Sequence, residues 1–276
     1  MSLTESATSR VWEAAGLCLH YHDAGQGEAV VMLHGGGPGA SGWSNFYRNV
    51  DALAQRFRVL IPDLPGFGRS SKPFYEERIG RFNAQVLKQW LDALEIKRVR
   101  FIGNSMGGHV ALQFALDYPD RVDSLVLMAP AIPVATIASN PSEGAKVLRG
   151  YYHGEGPSME RMRAFLGALV FDPQGVDDHT LRERYERSIE PDIVEWSKRM
   201  APRPERFEPL WKDLDRIACR TLLIWGRDDR VVPLDRALFM LHQMRDVRLH
   251  VFGRCGHWAM LEQPEAFNRL CLEFMS

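Results

Sequence analysis

Six short apolar runs set the architecture of this 276-residue chain. They are Val30-Val31-Met32-Leu33, Val59-Leu60-Ile61, residues 99–102, Leu125-Val126-Leu127, Leu222-Leu223-Ile224-Trp225 and Leu249-His250-Val251-Phe252. Each is too short for a helix, and each is closed by turn residues. That is the pattern of strands buried on both faces of a parallel sheet. Between them apolar residues recur at helical spacing. Ala84, Val86, Leu87, Trp90, Leu91 and Leu94 share one face, and the segment after Ser105 behaves alike. Alternating strands and helices predict an α/β fold, a mostly parallel central sheet flanked by helices with right-handed crossovers.

The rhythm stops between about Pro133 and Glu208. Only amphipathic helical pieces remain there (145–152, 159–170 and 181–196), separated by Pro and Gly. We read a helical lid over residues 133–205, inserted between core segments 1–132 and 206–276. It would lie over the sheet's C-terminal edge, where α/β proteins bind ligands.

Bulk properties narrow the function. The formal net charge is -1, so no global field points to nucleic acid or an anionic membrane. An acidic substrate would need local cations. No apolar run reaches the ~18 residues of a membrane span. The N-terminus MSLTESATSR lacks the apolar stretch of a secretory signal. A cytoplasmic protein is expected. Cys18, Cys219, Cys255 and Cys271 are far apart and form no CxxC, so they read as buried free thiols rather than metal or redox ligands.

Gly103-Asn104-Ser105-Met106-Gly107 spells G-x-S-x-G between a strand and a helix. At such a turn the backbone is strained and its neighbours must be small. The hydroxyl then projects above the sheet beside a helix N-terminus. Taken alone, the five residues fit a tight turn with an incidental serine equally well. Two further features shift the balance. His34-Gly35-Gly36-Gly37-Pro38-Gly39 follows an early strand, where a backbone N–H and that of Met106 can hold an oxyanion. Asp229 and His257 then follow two later strands, giving the order Ser, Asp, His. A serine needs a base, and the base needs a carboxylate to fix its tautomer. Of nine histidines, His257 alone lies in the required loop. His20, His22 and His250 read as strand-borne, His109 and His242 as helix-borne. Asp229 is preferred over Asp228, which reads as a turn or N-cap residue.

The whole pattern resembles the α/β-hydrolases. Four stretches, HGGGPGASGWSNF, GNSMGG, GRDDRVVPLD and CGHWAMLEQPEAFN, resemble more narrowly the meta-cleavage product hydrolases, with motif spelling nearest the biphenyl and dibenzofuran branch. The resemblance implies hydrolysis of a carbon–carbon bond in 2-hydroxy-6-oxo-hexa-2,4-dienoates, without metal or organic cofactor. It implies that Ser105, His257 and Asp229 are catalytic. Gly36, Gly37 and Met106 would serve the oxyanion, Asn45 and Asn104 the dienoate oxygens, and Arg184 the carboxylate. Trp258 would pack against the conjugated chain. For Asn104, turn support is the other reading; for Trp258, core packing; for Arg184, a solvated face shared with Arg182 and Arg187. Val147, Leu148, Phe165, Leu169, Phe171, Trp211, Val231 and Val232 are candidates for an apolar pocket around a C6 substituent, preferably aryl. A homo-oligomer, dimer or larger, is expected on the same ground.

A carboxylesterase or lactonase would share the triad without needing Arg184. A hydrolase-fold ligand receptor would need no working Ser105. Dehalogenases and epoxide hydrolases of this fold use an Asp nucleophile, against which Ser105 argues.

Overall fold

The computed structural model describes residues 3–14, 16–134, 136–200 and 206–276. The end of the expected lid, 201–205, lies outside the described residues. Eight strands form one sheet: β1 (Ser9–Ala14), β2 (Leu17–Ala24), β3 (Ala29–Leu33), β4 (Arg58–Pro62), β5 (Val99–Asn104), β6 (Val122–Met128), β7 (Arg220–Gly226) and β8 (Val247–Phe252). Their order is β1-β2-β4-β3-β5-β6-β7-β8. All six anticipated runs are strands, and β3 to β8 pair in parallel. The antiparallel hairpin β1–β2 adds an edge that the apolar runs did not announce.

Side chains alternate across the sheet as period-2 geometry requires. In β3, Val31 and Leu33 enter the core under helices Ile79–Ala93 and Met106–Asp117, whereas Val30 and Met32 enter the opposite core. Helix Ile79–Ala93 buries Ile79, Asn83, Val86, Leu87, Trp90 and Leu91, one stripe at helical spacing. Helix Met106–Asp117 is buried on every side from Met106 to Ala115 because it fills the space between the sheet and that neighbour. Pro119, which cannot donate an amide hydrogen, follows its end.

Between β6 and β7 the chain is helical: Glu143–Gly150, Met159–Leu169, Asp178–Ser188 and Pro191–Met200. The piece expected over 181–196 is two helices. Pro191 lacks an N–H and its ring clashes with a preceding turn, so one helix ends and another begins there. Ser142, Ser158 and Asp177 cap three of these helices with side-chain acceptors, each worth about 1 kcal/mol.

Candidate active site

The strand order reverses between β3 and β5, and the loops leaving those two strands lie side by side. Ser105 sits at the end of β5 with φ 50 and ψ -112, a conformation that a side chain disfavours. Three bonds hold it: Ser105 N donates to Met128 O at 2.8 Å, and Ser105 O accepts from Ala131 N and His109 N. The flanking glycines are required by contact. A Cβ on Gly107 would stand 2.2 Å from Leu33 O, and one on Gly103 would stand 2.7 Å from Gly107 O. Ser105 is half-buried, between fully buried Asn104 and Met106.

The loop after β3 presses on this corner. A Cβ on Gly35 would meet Asn104 Oδ1 at 2.6 Å, and one on Gly36 would meet Met106 Sδ at 3.1 Å. Gly36 and Gly37 are half-exposed within an otherwise buried stretch. Met106 begins its helix, so its N–H has no acceptor within the helix. His34 is a brace: its Nδ1 lies 2.9 Å from Gly35 O, and its Nε2 accepts from Leu64 N.

His257 and Asp229 are both buried, with His257 Nδ1 2.7 Å from Asp229 Oδ2. Asp229 Oδ1 accepts from Val231 N and Val232 N, which fixes the carboxylate. Asp228 lies in the turn and pairs with Arg227. The His257 loop is tied to the serine corner through Asn104 Nδ2, which donates to His257 O at 3.4 Å. No direct hydrogen bond joins Ser105 Oγ to His257 among the described residues. Such contacts tighten when substrate binds.

Asn104 is wholly buried, and its carboxamide is taken up by protein groups. Oδ1 accepts from Asn45 Nδ2 at 3.2 Å, and Nδ2 faces Met128 O and His257 O. The two asparagines therefore brace the corner. Arg184 is 2 % exposed, although it belongs to a helix with a charged outer face. Its Nη1 donates weakly to Ser44 Oγ at 3.4 Å, its Nε has no partner, and its Cζ stands 5.3 Å from the Trp258 ring centroid. Nη2 would lie 3.7 Å from a Cβ on Gly37. Burial pulls the guanidinium down to about 10. Among the described residues it makes no ion pair.

Phe165 reaches the same loop, and the Leu169 carbonyl accepts from His257 N. Val147, Leu148 and Val231 pack on the core that holds Phe165, Leu169 and Trp258. Two candidates are misplaced. Trp211 is on the surface beside Lys212. Phe171 faces outward, under Arg254. Residue type marks an apolar side chain but not the direction in which a short helix or loop turns it. Ser44, Arg230 and Glu262 were missed. Ser44 Oγ accepts from Arg184, whereas Arg230 and Glu262 bond backbone groups, so residue type within the quoted stretches did not reveal these contacts. Glu262 lies in the stretch CGHWAMLEQPEAFN, where nothing singled out its carboxylate.

Comparison with known proteins agrees with this geometry. Residues 28–264 match the family model described as alpha/beta hydrolase fold. The 2-hydroxy-6-oxo-6-phenylhexa-2,4-dienoate hydrolase of Burkholderia cepacia is 42% identical, over 99% of this chain and 98% of its own length. A 2-hydroxy-6-oxononadienedioate/2-hydroxy-6-oxononatrienedioate hydrolase of Paraburkholderia xenovorans is also 42% identical, over 100% and 98%. The solved structure of a mutant meta-cleavage product hydrolase from Pseudomonas fluorescens superposes with a TM-score of 0.87 at 37% identity, covering 96% of this chain and 97% of that one. The chain belongs to the α/β-hydrolase fold family and, within it, to the meta-cleavage product hydrolases.

Proposed function

We propose that this enzyme hydrolyses the C5–C6 bond of 2-hydroxy-6-oxo-hexa-2,4-dienoates, with Ser105 as nucleophile, His257 as base and Asp229 as its orienting carboxylate. The observation that carries the reading is Arg184. A buried guanidinium without a counter-ion is costly, and the carboxylate of an anionic substrate supplies what is missing. An ester substrate needs no such cation.

The chemistry follows from the arrangement. The dienol first becomes a ketone at C2 as C5 takes a proton. Ser105 Oγ then attacks C6 and gives its proton to His257 Nε2, while Asp229 holds the Nδ1 proton in place. The oxyanion forms between the Met106 N–H and the Gly36–Gly37 turn, where each donor contributes roughly 3 kcal/mol. As the carbonyl re-forms, the C5–C6 electron pair moves through C4 and C3 to the oxygen on C2. That oxygen takes the proton carried by His257, which releases 2-hydroxypenta-2,4-dienoate and returns the imidazole to its neutral form. Water, deprotonated by His257, attacks the Ser105 ester and frees the acid. Asn45 and Asn104 position the corner, and Trp258 flanks the conjugated chain.

Val147, Leu148, Phe165, Leu169 and Val231 support an apolar, aryl-type group on C6. A synthetic 2-hydroxy-6-oxo-6-phenylhexa-2,4-dienoate should lose its visible absorbance on addition of enzyme. Carboxyethyl and methyl analogues should react more slowly. Efficient cleavage of p-nitrophenyl esters with the dienoate untouched would establish an esterase instead.

A further inference from the structure

The loop bearing His257 is held from outside by one carboxylate. Glu262 Oε1 accepts from Gly256 N at 2.9 Å and from Trp258 N at 3.3 Å, the residues on either side of His257. Its other oxygen, Oε2, accepts from Phe171 N at 2.7 Å, two residues beyond the lid helix Met159–Leu169. A return bond runs from His257 N to Leu169 O at 2.6 Å. The approach is close enough to demand glycine, since a Cβ on Gly256 would stand 2.7 Å from Leu169 O. The Asp229 loop is tied to the same stretch. Arg230 Nη2 donates to Gly167 O and to Val170 O. Residues 167–171 thus anchor both the imidazole loop and the carboxylate loop.

We propose that Glu262 is a positioning residue that couples the seating of lid residues 169–171 to the placement of His257 against Ser105. Without its carboxylate, the N–H groups of Gly256, Trp258 and Phe171 lose their acceptor together. Small displacements of a general base are costly to rate. This inference rests on the roles assigned to Ser105 and His257, but its test need not use the dienoate.

The test measures the rate at which a fluorophosphonate probe phosphonylates Ser105, which reads the Ser105–His257 couple alone. Glu262→Gln keeps the shape but offers one acceptor oxygen and an amide donor, so it cannot serve both limbs. Phe171→Pro removes only the lid N–H from the clasp, and Phe171→Ala controls for the lost ring. Folding is checked by circular dichroism below each variant's melting midpoint. Glu262→Gln and Phe171→Pro should each slow labelling roughly tenfold or more, while Phe171→Ala stays within about twofold. Hydrogen exchange at residues 169–171 and 256–258 should rise together in Glu262→Gln. Wild-type labelling rates in folded Glu262→Gln would overturn the proposal. So would slowed labelling in Glu262→Gln with wild-type labelling in Phe171→Pro, because the lid would then play no part. Normal labelling of the wild type with no dienoate turnover would count against the substrate reading only.

Discussion

The chain contains a second Ser–His–Asp array, and the two invite comparison. Ser9 Oγ lies 2.8 Å from His20 Nε2, and His20 Nδ1 lies 2.9 Å from Asp63 Oδ2. The His257–Asp229 contact is much the same length. The surroundings differ. Ser9 has relaxed extended angles, φ -63 and ψ 130, in an edge strand, whereas Ser105 is held at φ 50. Asp63 also accepts from Gly42 N and Arg69 N, and its backbone carbonyl from Ser70 Oγ, which in turn holds His20 N. That array pins the β1–β2 hairpin to the loop after β4. Around Ser105 there is instead a half-open glycine turn, a helix N-terminus and a buried cation without a counter-charge. Bond pattern alone does not define a site. Strain, an oxyanion cradle and an uncompensated charge separate the array proposed to be catalytic from the structural one.

The sharpest break in the comparison should come from the serines. Ser105→Ala should lower dienoate turnover by roughly three orders of magnitude or more while leaving binding intact. Ser9→Ala should leave steady-state rates unchanged. The carboxylates should divide next. Asp229→Asn misorients the imidazole and should cost roughly two to three orders of magnitude in kcat. Asp63→Asn should instead act on the melting midpoint and spare kcat in the folded fraction. Arg184→Gln should reduce kcat/KM for the dienoate by roughly one to two orders of magnitude. Its effect on a neutral ester should be within a few-fold, and equal losses on both would assign Arg184 a structural role.

The smallest effect is on acid stability. Burial, together with the charge of His20, lowers His22 to about 4. A histidine kept neutral contributes stability above its ordinary pKa of 6.5, and this fades as pH falls from there toward 4. For Asp63, burial pushes upward, but the His20 bond, the His20 and His34 charges and the Arg69 N–H outweigh it and leave the carboxyl at about 2. Its contribution, about 2 kcal/mol by linkage, is present above its ordinary range and is lost as pH falls toward 2. Thermal midpoints measured from pH 7 to 2 should therefore fall in two steps. His22→Asn should flatten the upper step and Asp63→Asn the lower.

The same contrast explains what the sequence could reveal. Strands β3 to β8 were legible because burial on both faces leaves continuous apolar runs. Ser105, Asp229 and His257 were legible because each follows such a run in a fixed order. The hairpin was harder to see, since β1 alternates half-buried and exposed residues without an apolar run. The Ser9–His20–Asp63 array was invisible because nothing in the spacing of three polar residues says that they meet. Arg184 could be named but not distinguished from Arg182 and Arg187 until the helix showed which of them turned inward. Glu262 escaped because its partners are amides, which every residue type carries.

Peptide mapping after full fluorophosphonate labelling shows directly which serine is the nucleophile. One phosphonyl group is expected, on the peptide containing Ser105, with complete loss of dienoate cleavage. A label on Ser9 with Ser105 free, or cleavage that survives full modification of Ser105, would contradict that expectation.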